Sequence, residues 1–140
     1  MAVKPKGFSA EKFFQALGDT TRLRLLNLMG EHEICVCYFV EILGQSQPKI
    51  SRHLAYLRRA GIVRARREGK WMHYRILPPL DPGAAAILAD TLRWLDTDRQ
   101  MQADRARLVK ACCNPQGFVA LQSAPQPAAV MTLPNSSLQI

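Results

Sequence analysis

The chain has 140 residues, a formal net charge of +8 and a hydrophobic fraction of 48%. These values are typical of one globular domain with a modest core and a short tail. The sequence contains no run of about 18 apolar residues, which argues against a membrane-spanning helix. Its N-terminus lacks the apolar core of a secretory signal, so we expect a cytoplasmic protein whose thiols stay reduced.

The positive charge is confined to one segment. Residues 46–75 contain nine Lys or Arg and one acidic residue, Glu68, whereas the rest of the chain is neutral overall. A merely solubilising surface would normally mix both signs. Charge focused in this way favours a polyanion as the binding partner.

Helical periodicity predicts four helices in the N-terminal half, over residues 8–17, 20–30, 36–43 and 47–60. Ser46 is suited to cap the fourth of these helices, and Pro48 fits its first turn, where a missing N–H costs nothing. Ile50, Leu54 and Leu57 are spaced i, i+4, i+7 and should face the core.

The periodicity changes after Gly61. Residues 62–67 and 71–76 are rich in β-branched or aromatic residues and predict a β-hairpin with a charged turn. A long helical stretch follows from Pro82 to about Cys112, with a possible break at residues 97–98. The predicted fold class is mainly α with a small β-hairpin, in the order α-α-α-α-β-β-α(-α). We expect a domain over residues 1–113 and a flexible tail over 114–140.

The third and fourth helices, joined by a short polar turn, predict a helix-turn-helix unit that reads double-stranded DNA. The second helix of such a unit places its N-terminal residues against base edges, where Gln suits adenine and Arg suits guanine. The basic hairpin would track the backbone beside the groove. The candidate DNA contacts are Ser46, Gln47, Lys49, Ser51, Arg52, His53 and Tyr56 on the helix, and Arg66, Arg67 and Lys70 in the hairpin. His53 is expected on an exposed face, as a phosphate or water contact rather than a metal ligand.

Four motifs occur in a fixed order: A-L-G-D-T-T-R-L-R-L-L, I-C-V-C, S-Q-P-K-I-S-R-H-L-A-Y-L-R-R-A-G-I-V and R-R-E-G-K-W-M-H-Y-R-I. Together they strongly resemble the ArsR/SmtB family of arsenical-resistance repressors, over about residues 8–112. The resemblance implies a winged helix-turn-helix homodimer whose first and last helices form the dimer interface. It also implies a repressor that leaves its operator on binding a soft metal or metalloid, with no enzymatic activity and no catalytic cofactor.

The cysteines occur in two pairs, and the first pair lies at the start of the third helix. Soft thiolates select soft ions, and trivalent arsenic takes up to three sulfurs. The arsenite motif of the family resembles C-x-C-x-x-C. Cys35 and Cys37 match its first two positions, and Val40 stands at the third. Because residues i and i+2 lie on nearly opposite sides of a helix, we expect this pair to share an ion only if the helix start is unwound.

The second pair, Cys112 and Cys113, lies in A-C-C-N-P at the end of the last helix. Adjacent cysteines also occur there in some arsenic sensors of the family. Two sulfurs suit a methylated arsenical, whereas arsenite wants a third donor from the other pair or the other subunit. Trivalent arsenic or antimony is therefore the expected inducer, with all four cysteines as candidate ligands.

Other interpretations stay open at this point. A buried Cys is often only a small apolar residue. The same fold with thiols that oxidise would be a redox switch. Another soft metal, cadmium or lead, is also an alternative inducer, although the resemblance implies extra cysteines near the N-terminus for such a sensor and none precedes Cys35. A zinc sensor of the family would place Asp and His ligands on the last helix, and no His follows His73. An enzyme is disfavoured, because neither a C-x-x-C on a βαβ unit nor a nucleotide-binding glycine loop is present.

Overall fold

The computed structural model describes residues 8–113, with Cys113 by its backbone alone, together with Pro125 and Pro127. Apart from those two prolines, the predicted tail lies outside the described residues. No helix in this part of the chain is long and apolar enough to cross a bilayer. The elements are α1 (Ala10–Leu17), α2 (Thr20–Met29), β1 (Ile34–Cys35), α3 (Val36–Leu43), α4 (Gln47–Arg59), β2 (Val63–Glu68), β3 (Trp71–Ile76), α5 (Pro82–Leu95) and α6 (Arg99–Cys113).

Four of the helices begin at side-chain caps, and the predicted cap of α4 by Ser46 is confirmed. The N-cap residues of α1, α2, α4 and α5 each accept a backbone N–H bond on a side-chain oxygen; they are Ser9, Asp19, Ser46 and Asp81. Gly44 ends α3 with φ of 66°, a left-handed conformation that a side chain would strain. The helix-turn-helix pair therefore lies within one residue of its predicted bounds.

The predicted hairpin is confirmed, but the predicted order of elements misses one strand. β1 lies between α2 and α3 and pairs with β3, which gives an antiparallel sheet in the order β1-β3-β2. Ile34 is opposite Tyr74 and Cys35 is opposite His73. A strand of two residues, both buried, shows no alternation along the sequence, so only the sheet that it joins reveals it.

The core lies between α2, α3, α4, α6 and the sheet. Ile50, Leu54 and Leu57 are all completely buried there, which confirms the predicted inner face of α4. Burial of three such side chains stabilises the placement of α4 by about 5 kcal/mol in total. The opposite face of α4 is consequently left to solvent.

Helix α6 is fixed to α2 and α3 by polar contacts. Arg24 on α2 forms a two-pronged ion pair with Asp104, with N–O distances of 2.7 and 2.9 Å. The Asn27 side chain donates to the carbonyl of Met101 at 3.0 Å. The predicted break in the long helix is confirmed, because α5 ends at Leu95 and α6 begins at Arg99.

Candidate nucleic-acid interface and thiol cluster

The N-terminal half of α4 presents polar and basic side chains to solvent. Ser46, Gln47, Lys49 and Arg52 are exposed, and Ser51 is half-buried. The Ser46 hydroxyl accepts the Lys49 N–H at 3.4 Å, so it caps the helix in addition to facing solvent. The free N–H groups and the partial positive charge of a helix N-terminus add to the side-chain charge. This end of α4 has the electrostatic character that a DNA phosphate backbone requires.

His53 and Tyr56 are placed differently from the prediction. The His53 side chain is 18% exposed and lies against α2, with Nδ1 3.5 Å from Nη1 of Arg22. The Tyr56 hydroxyl donates to Oε1 of Gln15 at 3.0 Å. The expectation that His53 lies on an exposed face is therefore wrong, because the C-terminal part of α4 packs against α1 and α2. These two residues hold the orientation of α4 as well as bordering its outer face.

Arg22 is a component of this surface that the sequence analysis missed. Its guanidinium donates to the carbonyls of Ala16 at 2.9 Å and Gln15 at 2.7 Å, and lies 4.1 Å above the Tyr56 ring. An arginine held in this way has lost most of its conformational freedom before any ligand arrives. No local pattern in the sequence indicates this role, since all of these partners of Arg22 lie on other helices, α1 and α4.

A basic pocket lies beside Arg22 and along α4. No carboxylate is among its lining residues, which are Arg22, Lys49, Arg52, His53, Ala55, Tyr56 and Arg59. Arg59 follows Tyr56 by three positions and Arg52 by seven, so helical spacing alone would have placed it on this face. Cations that converge without a carboxylate form a surface suited to phosphate oxygens.

The protonation of His53 follows from its surroundings. Burial lowers the pKa of His53, Asp19 opposes this, and the nearby cations lower it further. The imidazole is therefore neutral at physiological pH. Because Arg22 can only donate, Nδ1 of His53 is the acceptor and the ring proton is assigned to Nε2. His53 thus has an N–H to offer a phosphate without carrying a charge of its own.

The cations predicted in the hairpin are not equivalent. Arg66 donates twice to Oε1 of Glu33, at 3.0 and 2.7 Å, and this hydrogen bonding lowers the pKa of Glu33. Arg67 and Lys70 are exposed near the turn, and the Lys70 ammonium lies 5.0 Å from the centre of the Trp71 ring. Because the Arg66–Glu33 pair is substantially exposed, it is weak enough for a phosphate to replace the carboxylate.

The first cysteine pair is preformed. Cys35 is the N-cap of α3 with extended φ and ψ of −68° and 142°, and Cys37 lies in the first turn. The Cys37 thiol donates to the sulfur of Cys35 across 3.0 Å. The requirement for an unwound helix is therefore wrong, because Cys35 precedes the helix and β1 directs the chain so that both sulfurs meet. The pair is able to take one soft ion without loss of helical hydrogen bonds.

The two thiols differ in acidity. The hydrogen bond from Cys37 has the largest effect and lowers the pKa of Cys35 to about 7, although burial opposes it. The same bond, together with burial, raises the pKa of Cys37. Near neutral pH the pair therefore contains a thiolate at Cys35 and a thiol at Cys37. Since the thiolate is the nucleophile and the metal ligand, Cys35 is the more nucleophilic sulfur, whereas Cys37 is the more exposed one.

Replacement of Cys37 by alanine should raise the pKa of Cys35, because it removes the donor that stabilises the thiolate. We expect alkylation of Cys35, measured by iodoacetamide labelling against pH and located by mass spectrometry, to begin at higher pH in Cys37→Ala. Cys37→Ser is the matched control, since its hydroxyl still donates, and it should keep the low onset. An unchanged profile in Cys37→Ala would show that another group sets the acidity of Cys35.

The second pair is only partly described. Cys112 is buried in α6, whereas the side chain of Cys113 lies outside the described residues. Tyr38 is completely buried, and its hydroxyl has no hydrogen-bond partner among the described residues. Burial raises the pKa of Tyr38, and negative charge on Cys112, Cys37 and Cys35 raises it further. The Cys35–Cys37 pair and Cys112 on α6 are therefore all within electrostatic range of this hydroxyl.

These sulfurs are not arranged as a complete metal centre. Within residues 8–113, no group of three or more His, Cys, Asp or Glu side chains is already placed to hold a metal ion. The structure thus brings Cys35 and Cys37 into contact and places Cys112 in the same region of the core. It does not show whether an ion binds there, and the assignment of these residues as ligands stays a prediction.

Known proteins of similar sequence and structure bear on this arrangement. Residues 19–65 match the family described as bacterial regulatory protein, arsR family. The chain is 41% identical over 104 residues to the arsenical resistance operon repressor of Escherichia coli. The aligned region covers 74% of this chain and 87% of that protein. It is 41% identical over 109 residues to the arsenic resistance transcriptional regulator ArsR1 of Pseudomonas putida, with 76% and 83% covered. Among solved structures, HlyU from Vibrio cholerae has a TM-score of 0.53 and 28% identity, covering 61% of this chain and 89% of that chain.

Proposed function

The chain belongs to the arsR family of bacterial regulatory proteins. We propose that this protein is released from operator DNA when its cysteine thiolates bind trivalent arsenic or antimony. The family membership makes it a DNA-binding transcriptional repressor of winged helix-turn-helix fold rather than an enzyme. The observation that carries the proposal is the contact between Cys37 and Cys35 at 3.0 Å. This pair stands at the N-terminus of α3, the first helix of the reading unit.

Release follows from where the ligand would bind. Arsenite exchanges an As–O bond for an As–S bond at each cysteine. At a thiol the hydroxyl group leaves as water with the thiol proton, at the Cys35 thiolate it leaves as hydroxide, and no oxidation state changes. Ligation replaces the thiol–thiolate hydrogen bond at the start of α3, and α3 packs directly on α4. An inducer that prefers one position of α3 must bias the position of α4 by the same free energy.

The proposed repressor acts as a homodimer on a partly palindromic operator. Large apolar side chains are exposed on α1 and α5, namely Phe14 at 54%, Ile87 at 40% and Trp94 at 75%. Exposed apolar surface of this extent is typical of a protein–protein interface. A two-fold pairing through it would present two α4 helices to successive major grooves.

Alanine at Lys49 or Arg52 should weaken operator binding. Loss of Arg52 should cost about 1–3 kcal/mol and relax the base preference at one position. Loss of Lys49 should lower the slope of log K against log salt by about 1, the value for one phosphate contact. Fluorescence anisotropy with labelled operator, repeated across a salt series, measures both the affinity and its salt dependence. The binding curve should saturate at two chains per duplex.

Arg99→Ala is the matched control for that experiment, because Arg99 is an exposed cation at the start of α6. It should bind operator like the wild type. If Lys49→Ala and Arg52→Ala also bind like the wild type at every salt concentration, α4 is not the reading helix. Saturation at one chain per duplex would contradict the dimer.

The same sulfur contact also favours a second candidate, a repressor that responds to thiol oxidation. A thiolate at Cys35 reacts with peroxide, and its sulfenic acid would condense with Cys37 to a disulfide; overall two thiols are oxidised and peroxide is reduced to two waters. Operator release by peroxide in arsenic-free buffer would support this candidate. If arsenite does not release the reduced protein from operator DNA, the oxidation-responsive repressor is the better explanation.

A further inference from the structure

Two thiols leave arsenite with one unreplaced hydroxyl group. Arsenite has three As–O bonds to exchange, and Cys35 and Cys37 account for two of them. Val40 occupies the position one turn further along α3, and its hydrocarbon side chain has no donor atom. Cys35 is completely buried and Cys37 is half-buried, so a third sulfur has to come from an element that packs against α3.

Helix α6 is the neighbouring element that carries a third sulfur, that of Cys112. The Arg107 guanidinium donates to the carbonyl oxygens of Ile42 and Glu41, which anchors the middle of α6 at the C-terminal end of α3. Cys112 lies five residues beyond Arg107, and Cys37 lies five residues before Ile42. Each interval is about 7.5 Å of helix, so in an antiparallel pair Cys112 is level with Cys37.

The burial of Cys112 and the position of the Tyr38 hydroxyl agree with this alignment of α6 beside α3. Cys112 is 1% exposed and, with Leu108 one turn earlier, forms the inner face of α6. The buried Tyr38 hydroxyl, which lacks a partner in the described part of the chain, lies near all three sulfurs. Burying such a hydroxyl without a partner is unfavourable, so a site that supplies sulfur acceptors would relieve this cost.

We propose that Cys112 of the same chain is the third sulfur ligand, so that a single trivalent arsenic joins Cys35 and Cys37 at the start of α3 to the last turn of α6. The proposal rests on the proposed arsenic response and specifies its coordination. Three As–O bonds become three As–S bonds. Two hydroxyl groups leave as water with the protons of two thiols, the third is displaced by the Cys35 thiolate and leaves as hydroxide, and the arsenic stays trivalent.

This third bond requires movement, because the three sulfurs are not yet placed as a metal centre within residues 8–113. The last turn of α6 and the start of α3 must approach each other. Since α6 is held to α2 through Asp104 and the Met101 carbonyl, the approach would also pull on α2. The bound ion would thereby act on two helices that pack against α4 rather than on α3 alone.

X-ray absorption at the arsenic edge tests the proposal on the full-length, arsenite-loaded protein without DNA. The wild type should show three sulfur neighbours per arsenic. Cys112→Ser should show two sulfurs and one oxygen, with arsenite affinity weaker by about tenfold or more, whereas Cys113→Ser should keep three. Methylarsenite has only two exchangeable bonds, and its affinity should be unchanged in Cys112→Ser. Three sulfurs in Cys112→Ser, or two in Cys113→Ser, would overturn the proposal.

Failure of the broader arsenic response has a different signature. If arsenite does not bind the wild type through sulfur, the proposed function itself is wrong. If arsenite binds Cys35→Ser/Cys37→Ser as tightly as the wild type, the sensor lies elsewhere in the chain and the three-sulfur proposal is overturned. A dimer of two different variants shows whether Cys112 comes from the same chain as Cys35 and Cys37 or from the partner. A doubly tagged dimer of one Cys112→Ser chain and one Cys35→Ser/Cys37→Ser chain should contain no three-sulfur site. A three-sulfur site in half of the subunits would show that the partner supplies Cys112 and would overturn the same-chain assignment.

Discussion

Cys35→Ser/Cys37→Ser should remain on operator DNA at arsenite concentrations that release the wild type. Serine preserves the size of both side chains, and its hydroxyl groups still hydrogen-bond at the start of α3. A hydroxyl is not ionised at neutral pH and is a hard donor, so it does not replace the As–O bonds of arsenite with stronger ones. The expected result is unchanged DNA affinity without arsenite and at least a hundredfold higher arsenite requirement, measured by operator anisotropy.

The interpretation depends on two controls. Cys113→Ser keeps Cys35, Cys37 and Cys112, and it should respond to arsenite like the wild type. Far-ultraviolet circular dichroism of the double variant should match the wild type, since serine is close to cysteine in size and the two hydroxyl groups are placed to hydrogen-bond to each other. Release of the double variant at the wild-type arsenite concentration would place the sensor elsewhere in the chain.

Arg24→Ala should be strongly destabilising. The Asp104 side chain is 1% exposed. Loss of Arg24 leaves this buried carboxylate with Gln100, at 2.8 Å, as its one side-chain donor among the described residues. Breaking a buried pair by removing one partner costs about 3 kcal/mol or more. Urea denaturation followed by circular dichroism should show a lower midpoint with an unchanged slope.

Two further variants show whether the unpaired charge is the cause. Arg24→Leu/Asp104→Leu removes both charges and should recover much of the lost stability, because it leaves no uncompensated ion in the core. Arg93→Ala breaks an ion pair with Asp90 that is exposed on both sides, and it should change the midpoint little. If Arg24→Ala changed the urea midpoint as little as Arg93→Ala, the stability of the fold would not depend on pairing the Asp104 carboxylate with Arg24.

The helix-turn-helix could be predicted because its signals are local. Ile50, Leu54 and Leu57 repeat at helical spacing, Ser46 caps α4, and Gly44 ends α3. Each signal acts within a few residues, and each agrees with its neighbours. The confined positive charge then indicated which face of the molecule meets a polyanion.

The remaining features could not be predicted because they depend on contacts between distant residues. β1 exists only because Ile34 and Cys35 pair with Tyr74 and His73, some forty residues away. That strand takes Cys35 out of the helix and allows it to meet Cys37, which reasoning from an intact helix had excluded. Arg22 is similar, because its role follows from the packing of α4 against α2.

The most direct test of the proposed function is the operator affinity of the reduced wild-type protein with and without arsenite, measured by fluorescence anisotropy at fixed salt in oxygen-free buffer. We predict that saturating arsenite weakens the affinity by at least tenfold, and that operator DNA weakens arsenite binding by the same factor. Affinity that stays constant while arsenite occupies the protein would contradict the proposal, since a ligand that binds both states equally shifts neither.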